Sequence, residues 1–304
     1  MGDLNNFVRI IVLNYNQPKY TISTVNALLL QSVENKEIIV VDNFSTIINF
    51  DELKKGLPKE VILLRTNANL GYSKGNNIGC QYITKHIIDY YFIVNNDVII
   101  EDNNLIASLI VSIKNNQSNN VVAASPMVDT LSTELPLIEQ IQIRKILHFY
   151  EQIIVISPIL NKVFFPVLRK YTYKDKMPYL NKYTFSDTIN GAAFLIKGDV
   201  FENNEFLDAG TFLFHEELIL GMQLKNKGYT CVLDGFTSLK HLQGLSTNSY
   251  KKAYNIIMEK EKVVSEIYYF QKYFKIKKIY TTIIKGFRYV EVYLLYLYSC
   301  VFKK

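Results

Sequence analysis

Four short apolar runs, each ending in a polar residue and separated by turn and helix signals, decide what the first third of this 304-residue chain can fold into. Val8–Asn14 is rich in β-branched residues, the mark of a strand buried on both faces of a parallel sheet. A polar turn with Pro18 follows, then a helical stretch over residues 20–31. Residues 37–41 read as a second strand that ends at Asp42, and 61–65 as a third. A Gly/Asn-rich loop leads into a helix over 75–85, and residues 90–94 form a fourth strand that runs into Asn95, Asn96 and Asp97. This rhythm implies an α/β fold, an open parallel sheet with helices on both faces. Such sheets bind ligands beyond the carboxyl ends of their strands, where Asn14, Asp42 and Asp97 stand.

Further along, residues 121–124 are another apolar run, and 131–183 break the rhythm with a partly helical insertion that mixes apolar and basic side chains. Sheet-like patterning returns at 187–197, followed by a helix over Glu216–Asn226 and a strand at 230–234. From Tyr250 onward, charged and apolar residues recur at helical spacing and predict two basic amphipathic helices. The net charge of +6 divides unevenly: 251–304 carry +8, 144–182 carry +6, and the remainder carries −8. An acidic core with basic attachments argues against a nucleic-acid partner, whose basic stripe belongs on the core. With 49% hydrophobic residues and few Gly and Pro, the chain is neither disordered nor collagen-like. Its three scattered cysteines give neither a disulfide framework nor a CxxC metal site and suit a reducing cytoplasm. No basic region followed by an apolar run opens the chain, and 289–302, broken by Glu291, is too short to span a bilayer.

Single residues carry several readings. Asp97, closing an apolar strand, suits a divalent cation that prefers oxygen ligands, and equally a helix cap. Asp42 has the same placement, with hydrogen bonding to a base or ribose as one role and a turn as the other. The segment Asn69–Leu70–Gly71 through Gly75, Asn76 and Gly79 permits close backbone approach or positive φ, or is a plain turn before a helix. Glu216 and Glu217 open a helix, where acids suit the dipole, and where a positioned carboxylate serves as a general base. His241 is a metal ligand or a satisfied structural histidine.

The order of these signals is more specific than any one of them. A strand ending in N-Y-N, V-V-D-N-x-S, N-x-G-Y-x-x-G-N-N-x-G, a strand ending in N-N-D, N-G-A-A-F-L-I, E-E-L-I-L-G-M-Q-L and H-L-Q-G-L-S follow one another between residues 8 and 247. In this series the sequence resembles the family 2 glycosyltransferases of the GT-A fold, and within them the bacterial rhamnosyltransferase branch that builds surface polysaccharides. The resemblance implies a Rossmann-like, mostly parallel sheet flanked by helices. By the same resemblance, Asn14, Asp42, Gly71, Gly75, Asn76, Asn96, Asp97, Gly191 and Ala192 would bind a nucleotide sugar. Asp97 and His241 would hold Mn²⁺ or Mg²⁺. Glu217 would be the general base of an inverting transfer, and Glu216 would place the acceptor. Two positions depart from the family pattern: Asn95 removes a first acidic ligand, and His215 stands where an aromatic residue is common.

The implied enzyme moves a sugar from a nucleotide-sugar donor, dTDP-rhamnose ahead of a UDP-sugar, to a lipid-linked or growing glycan. It would work in the cytoplasm, peripheral at the inner face of a bacterial plasma membrane. A nucleotidyltransferase shares such a sheet but wants a basic Gly-rich loop after the first strand, and N-Y-N-Q-P-K offers little of one. A membrane-associated binding protein with a degenerate site is the other alternative, motivated by Asn95. The layout expected is a transferase domain over 1–248, comprising a nucleotide-binding half (1–130), the basic insertion (131–183) and an acceptor half (184–248). A helical extension follows over 249–304, suited to an anionic membrane surface or to homodimer contacts.

Overall fold

A computed structural model describes residues 6–242 and 255–302. The H-x-x-G-x-S segment beyond Leu242, and with it the boundary drawn at 248, lies outside the described residues. The strands are β1 (Val8–Asn14), β2 (Lys36–Asp42), β3 (Ile62–Arg65), β4 (Tyr90–Asn95), β5 (Val98–Ile99), β6 (Val121–Thr130), β7 (Tyr183–Ser186), β8 (Ala193–Lys197) and β9 (Thr230–His241). The helices are α1 (Pro18–Leu29), α2 (Ile47–Gly56), α3 (Gly71–Cys80), α4 (Leu105–Asn115), α5 (Phe149–Ile156), α6 (Pro158–Val163), α7 (Phe165–Tyr171), α8 (Gly198–Glu202), α9 (Glu216–Asn226), α10 (Ile256–Tyr273) and α11 (Lys278–Phe302).

The strands form one sheet in the order β3-β2-β1-β4-β8-β6-β9-β5, with β7 paired to β9. Its first half is parallel, as the strand rhythm predicts: β1 pairs with β2 and β4, and β2 with β3. The second half is mixed, as a mostly parallel sheet allows, with β6 parallel to β9. Strand β8 runs antiparallel to both β4 and β6, and β5 and β7 are antiparallel to β9. The architecture is thus a mixed α/β sheet flanked by helices, with α10 and α11 appended at its C-terminal end.

Alternate residues of the central strands feed two cores, which is why those strands read as continuous apolar runs. Ile10 and Val12 point towards α1, α2 and α4, contacting a cluster with Leu28, Leu53 and Leu109. Ile11 points the other way, into a cluster with Cys80, Phe201, Leu220 and Leu224 from α3, α8 and α9. The chain departs from the sequence reading in detail. Pro18 opens α1 as its first residue rather than making a turn, since its missing N–H is unpaired there anyway. Helices α2 and α4 were not anticipated, and β9 extends through His241. The glycine segment is itself the helix α3. Gly75 and Gly79 face β1 and β2, and a Cβ on Gly75 would lie 2.6 Å from the Leu13 side chain.

The insertion and the C-terminal helices pack together. Ile146, Leu147 and Tyr171 join Tyr269 and Phe270 of α10 against Leu218, Ile219 and Met222 of α9. Each of these side chains contributes on the order of 1.5–3 kcal/mol by leaving water. Helix α9 is therefore covered by the sheet on one side and by these late segments on the other. Arg288 is buried between Glu266 and Glu291, at 3.0 and 2.5 Å, and Ser157 donates to Glu291 at 2.5 Å, tying α11 to α10 and α6. On its opposite side α11 exposes Tyr280, Ile283, Phe287, Val290, Leu294 and Leu297, spaced alternately by three and four residues. Among the described residues no helix is long and apolar enough to cross a membrane.

Candidate active site

Strands β1, β2 and β4 end side by side, and their last residues form a polar crevice. Asn14 is fully buried: its amide donates to Asp42 Oδ1 at 2.8 Å and to Ser45 Oγ at 3.1 Å, and its oxygen accepts from the Thr21 hydroxyl. Asp42 is equally buried, accepting from the Ser45 N–H, with Arg65 Nε 3.5 Å from its second oxygen. Both side chains thus tie the floor of the crevice together instead of presenting free polar atoms to it. Arg65 also stacks over the Phe50 ring at 4.1 Å, an aromatic platform at the same edge.

Asn96 is likewise inward: its amide donates to Thr21, and its carbonyl accepts from Thr24. Asn43 holds the start of α3, donating to Asn69 and the Gly71 carbonyl and accepting from the Leu70 N–H. Gly71 has φ +78°, and a Cβ there would sit 2.2 Å from the Phe212 carbonyl, so only glycine lets α3 approach the loop before α9 this closely. Asn76 is buried, with its amide donating to the Tyr72 carbonyl and its Oδ1 without a partner among the described residues.

Asp97 occupies the turn between β4 and β5. Because β5 pairs with the end of β9, Val98 lies opposite His241. Asp97 Oδ1 and His241 Nε2 stand 3.0 Å apart, both largely buried, with the Asn95 amide 3.4 Å from the same ring nitrogen. The helix-cap alternative for Asp97 is overturned, since α4 begins eight residues later behind Asn104. No third His, Cys, Asp or Glu joins this pair among the described residues. One carboxylate oxygen and one imidazole nitrogen are a donor set that suits Mn²⁺, and also Mg²⁺ when substrate phosphates and water complete its shell.

The Asn95 N–H donates to the Ala192 carbonyl, linking the Asp97 turn to the second half of the site. There Gly191 N–H donates to Glu217 Oε1 at 2.8 Å, and Arg144 Nη1 contacts Glu217 Oε2 at 2.6 Å. Each carboxylate oxygen keeps a second lone pair. Arg144 comes from the insertion, and its pKa is raised chiefly by the charge of Glu217. Glu216, next in the same helical turn, has a different environment: burial, with the Glu217 charge adding to it, pushes its carboxyl up to about 8. Its Oε1 has no partner among the described residues. The Tyr72 hydroxyl donates to the Gly191 carbonyl at 2.9 Å, and burial raises its pKa well above the usual phenol value. Two left-handed residues, Phe214 at φ +73° and His215 at +70°, turn the chain sharply into α9. Burial pulls His215 down to about 3, so it is neutral, and its ring lies 5.7 Å from that of Tyr269.

The structure therefore brings Glu217, Glu216 and Gly191 together, joins Asp97 to His241, and uses Asn14, Asp42, Asn96 and Gly75 in the framework beneath. Sequence reading missed Arg144, one of many basic residues in a segment without a motif. It also missed Tyr72, although it lies inside the glycine motif.

Comparison with known proteins bears on this arrangement. No curated protein matches the chain by sequence. Among solved structures, the mannosyltransferase PcManGT from Pyrobaculum calidifontis, in complex with GDP-Man and Mn²⁺, has a TM-score of 0.55 at 12% identity, over 99% of this chain and 77% of that one. GalNAc-T7 with UDP, GalNAc and Mn²⁺ has a TM-score of 0.56 at 15% identity, over 87% of this chain; the match spans 48% of that protein. Identities this low speak for a shared GT-A fold. The sequence pattern described as "Glycosyl transferase family 2" matches residues 9–175, more than half of the chain and including the Asp97 turn and Arg144. On that match, carried by the fold just described, the chain belongs to glycosyl transferase family 2.

Proposed function

We propose that this protein is an inverting, metal-dependent transferase that moves a sugar from a nucleotide-sugar donor to a hydroxyl of a lipid-linked or growing surface polysaccharide. The observation that carries the reading is the split environment of two adjacent acids. Glu217 is held by a cation and a backbone N–H at the mouth of α9, whereas the raised pKa of Glu216 leaves it mostly protonated at neutral pH. Adjacent acids in such different surroundings suit distinct roles. Inversion with a nucleoside diphosphate as leaving group needs one base and no protein acid on the leaving oxygen, a task that Glu217 alone can fill.

In the proposed step, Glu217 takes the proton of the acceptor hydroxyl while that oxygen forms its bond to the anomeric carbon. The bond from that carbon to the diphosphate oxygen breaks, and the nucleoside diphosphate leaves with the electron pair from the opposite face. Glu216, as a neutral donor, places the acceptor. Asp97 and His241 would hold Mn²⁺ or Mg²⁺, which when bound neutralises charge on the departing diphosphate. The crevice floored by Asn14 and Asp42, with Gly71, Asn76 and Asn96 around it and Gly191 and Ala192 towards the sugar, takes the donor. The preference for dTDP-rhamnose over a UDP-sugar rests on the motif resemblance.

Peripheral contact with an anionic membrane is part of the proposal. The exposed apolar side of α11 belongs to a segment, 251–304, that carries a net charge of +8, a pairing that suits an interfacial helix on anionic lipid. A concentration-dependent dimer without vesicle binding would assign that face to a second copy instead. For the chemistry, Glu217→Gln is expected to abolish transfer while calorimetry still shows donor binding. Wild-type turnover in that variant overturns the assignment of the base.

A further inference from the structure

A cavity of about 670 Å³ opens between the insertion and the C-terminal end of α9, away from the crevice at the strand ends. Five cations line it: Lys145, Arg169, Lys170, Lys176 and Lys225. Two acids, Asp175 and Asp187, stand among them. Part of this charge is already neutralised. Lys225 pairs with Asp187 at 2.9 Å, and Asp187 also accepts from the Ile146 N–H; Lys170 pairs with Glu151 at 2.7 Å. Lys145 and Arg169 have no carboxylate partner among the described residues. Lys176 sits over the Tyr173 ring and, among the described residues, donates to the Phe185 carbonyl and pairs with no carboxylate.

The cavity keeps an excess of cations over its two acids, and a concave wall with an excess of one sign concentrates its field on whatever enters. The backbone that presents Lys145 is held in place. Lys145 N–H donates to the Tyr171 carbonyl, and the N–H groups on either side of it bond to Thr188 and Asp187. The consecutive side chains of Arg144 and Lys145 part: one goes to Glu217, the other into this cavity. The same loop, 187–191, carries Asp187 on the cavity side and Gly191 on the active-site side.

We propose that this cavity is a second anion site, separate from the donor crevice, that takes a phosphate or diphosphate ester through Lys145, Arg169 and Lys176. Guanidinium and ammonium groups are the natural partners of phosphate oxygens, and three of them around one hollow match a group of two or more negative charges. A phosphate borne by the acceptor and the head group of a membrane lipid share this chemistry.

Binding of inorganic pyrophosphate to the full chain, measured by calorimetry in metal-free buffer, tests it without reference to transfer. Wild type and Asp97→Ala are expected to bind alike. Lys145→Gln/Arg169→Gln should lose at least about tenfold in affinity, with Lys145→Arg/Arg169→Lys retaining it. Wild type is further expected to weaken as salt rises. Absent binding in wild type, or equal affinity in the glutamine variant, overturns the proposal. Because Glu217 is not involved, failure here leaves the assignment of the base untouched, and failure of Glu217→Gln leaves this site standing. Co-sedimentation with phosphatidylcholine vesicles, with and without phosphatidylglycerol, separates the sources. Loss of anionic-vesicle binding in the glutamine variant identifies a lipid head group. Unchanged vesicle binding with lost pyrophosphate binding identifies a phosphate on a non-lipid ligand or acceptor.

Discussion

Replacing Gly191 with alanine tests the placement of the base without touching the base itself. A Cβ at 191 would lie 2.6 Å from Glu217 Oε1, 3.1 Å from its Cγ and 3.2 Å from its Cδ. The φ of Gly191 is one that L-residues adopt, so the substitution imposes no backbone strain. The three nearest atoms all belong to the flexible Glu217 side chain. To reach ordinary van der Waals contact, Oε1 must retreat by roughly 0.8 Å, which also stretches its 2.8 Å hydrogen bond from the Gly191 N–H. A reacting group displaced by about 1 Å costs on the order of 100-fold in rate, and a lost charge-assisted hydrogen bond is worth about 1.5–3 kcal/mol. Turnover in Gly191→Ala is therefore expected to fall between about 10- and 100-fold, with the melting temperature nearly unchanged. The assay is release of nucleoside diphosphate at saturating donor, alongside thermal melting. Wild-type turnover in a folded Gly191→Ala would refute the placement of Glu217 at the reacting centre, because the nearest clash is with its own carboxylate.

Two further outcomes follow from buried charge. Arg288→Met strands Glu266 and Glu291 in an apolar setting, at a cost of about 3–5 kcal/mol and a fall in melting temperature of roughly 10 °C. Adding Glu266→Gln and Glu291→Gln should restore most of it, and a melt unaffected by Arg288→Met alone would refute the buried network. Glu216 titrates at about 8 in the fold against an ordinary 4.5, so its contribution is fully present below about 4.5 and is lost as pH rises through 8. Melting temperature is expected to fall between about pH 4.5 and 8 and to level off above, and Glu216→Gln should flatten that fall; an equally steep fall in the variant would place the titration elsewhere.

The donor half of the fold was legible because its strands are buried on both faces and end in polar residues. That pattern survives in the sequence whatever the helices do. Helix α2 left no comparable trace: of its ten residues only Leu53 is buried, so its periodicity is faint. The glycine segment misled for a physical reason. Gly75 and Gly79 lower helix propensity, but α3 exists because their missing side chains let it lie directly on Leu13 and Ile11. The antiparallel strand β8 was recognisable as sheet but not in direction, since direction is set by a connection through the insertion. Among the site residues, Glu217 was readable from its place in a helix and motif. Its partner Arg144 was not, because an ion pair across 73 residues of chain leaves no local pattern. Asp42 was readable as a strand-end carboxylate, but its ties to Asn14, Ser45 and Arg65 were not, because those partners lie far apart in the chain.

Helix α9 lies between a sheet completed early in the sequence and two helices supplied near its end, and this has a bearing on how the protein is made. On the ribosome, the strands whose ends form the crevice are synthesised well before residues 256–291 emerge. Until they do, Leu218, Ile219 and Met222 face outward without Tyr269 and Phe270 to cover them. The sharp turn at Phe214 and His215 also waits for the Ser265 hydroxyl, which donates to the Leu213 carbonyl. The half with the crevice can thus take shape during synthesis, while the half around Glu217 is assembled only near its close. A nascent chain stalled before α10 would present an apolar patch to chaperones instead of a working centre.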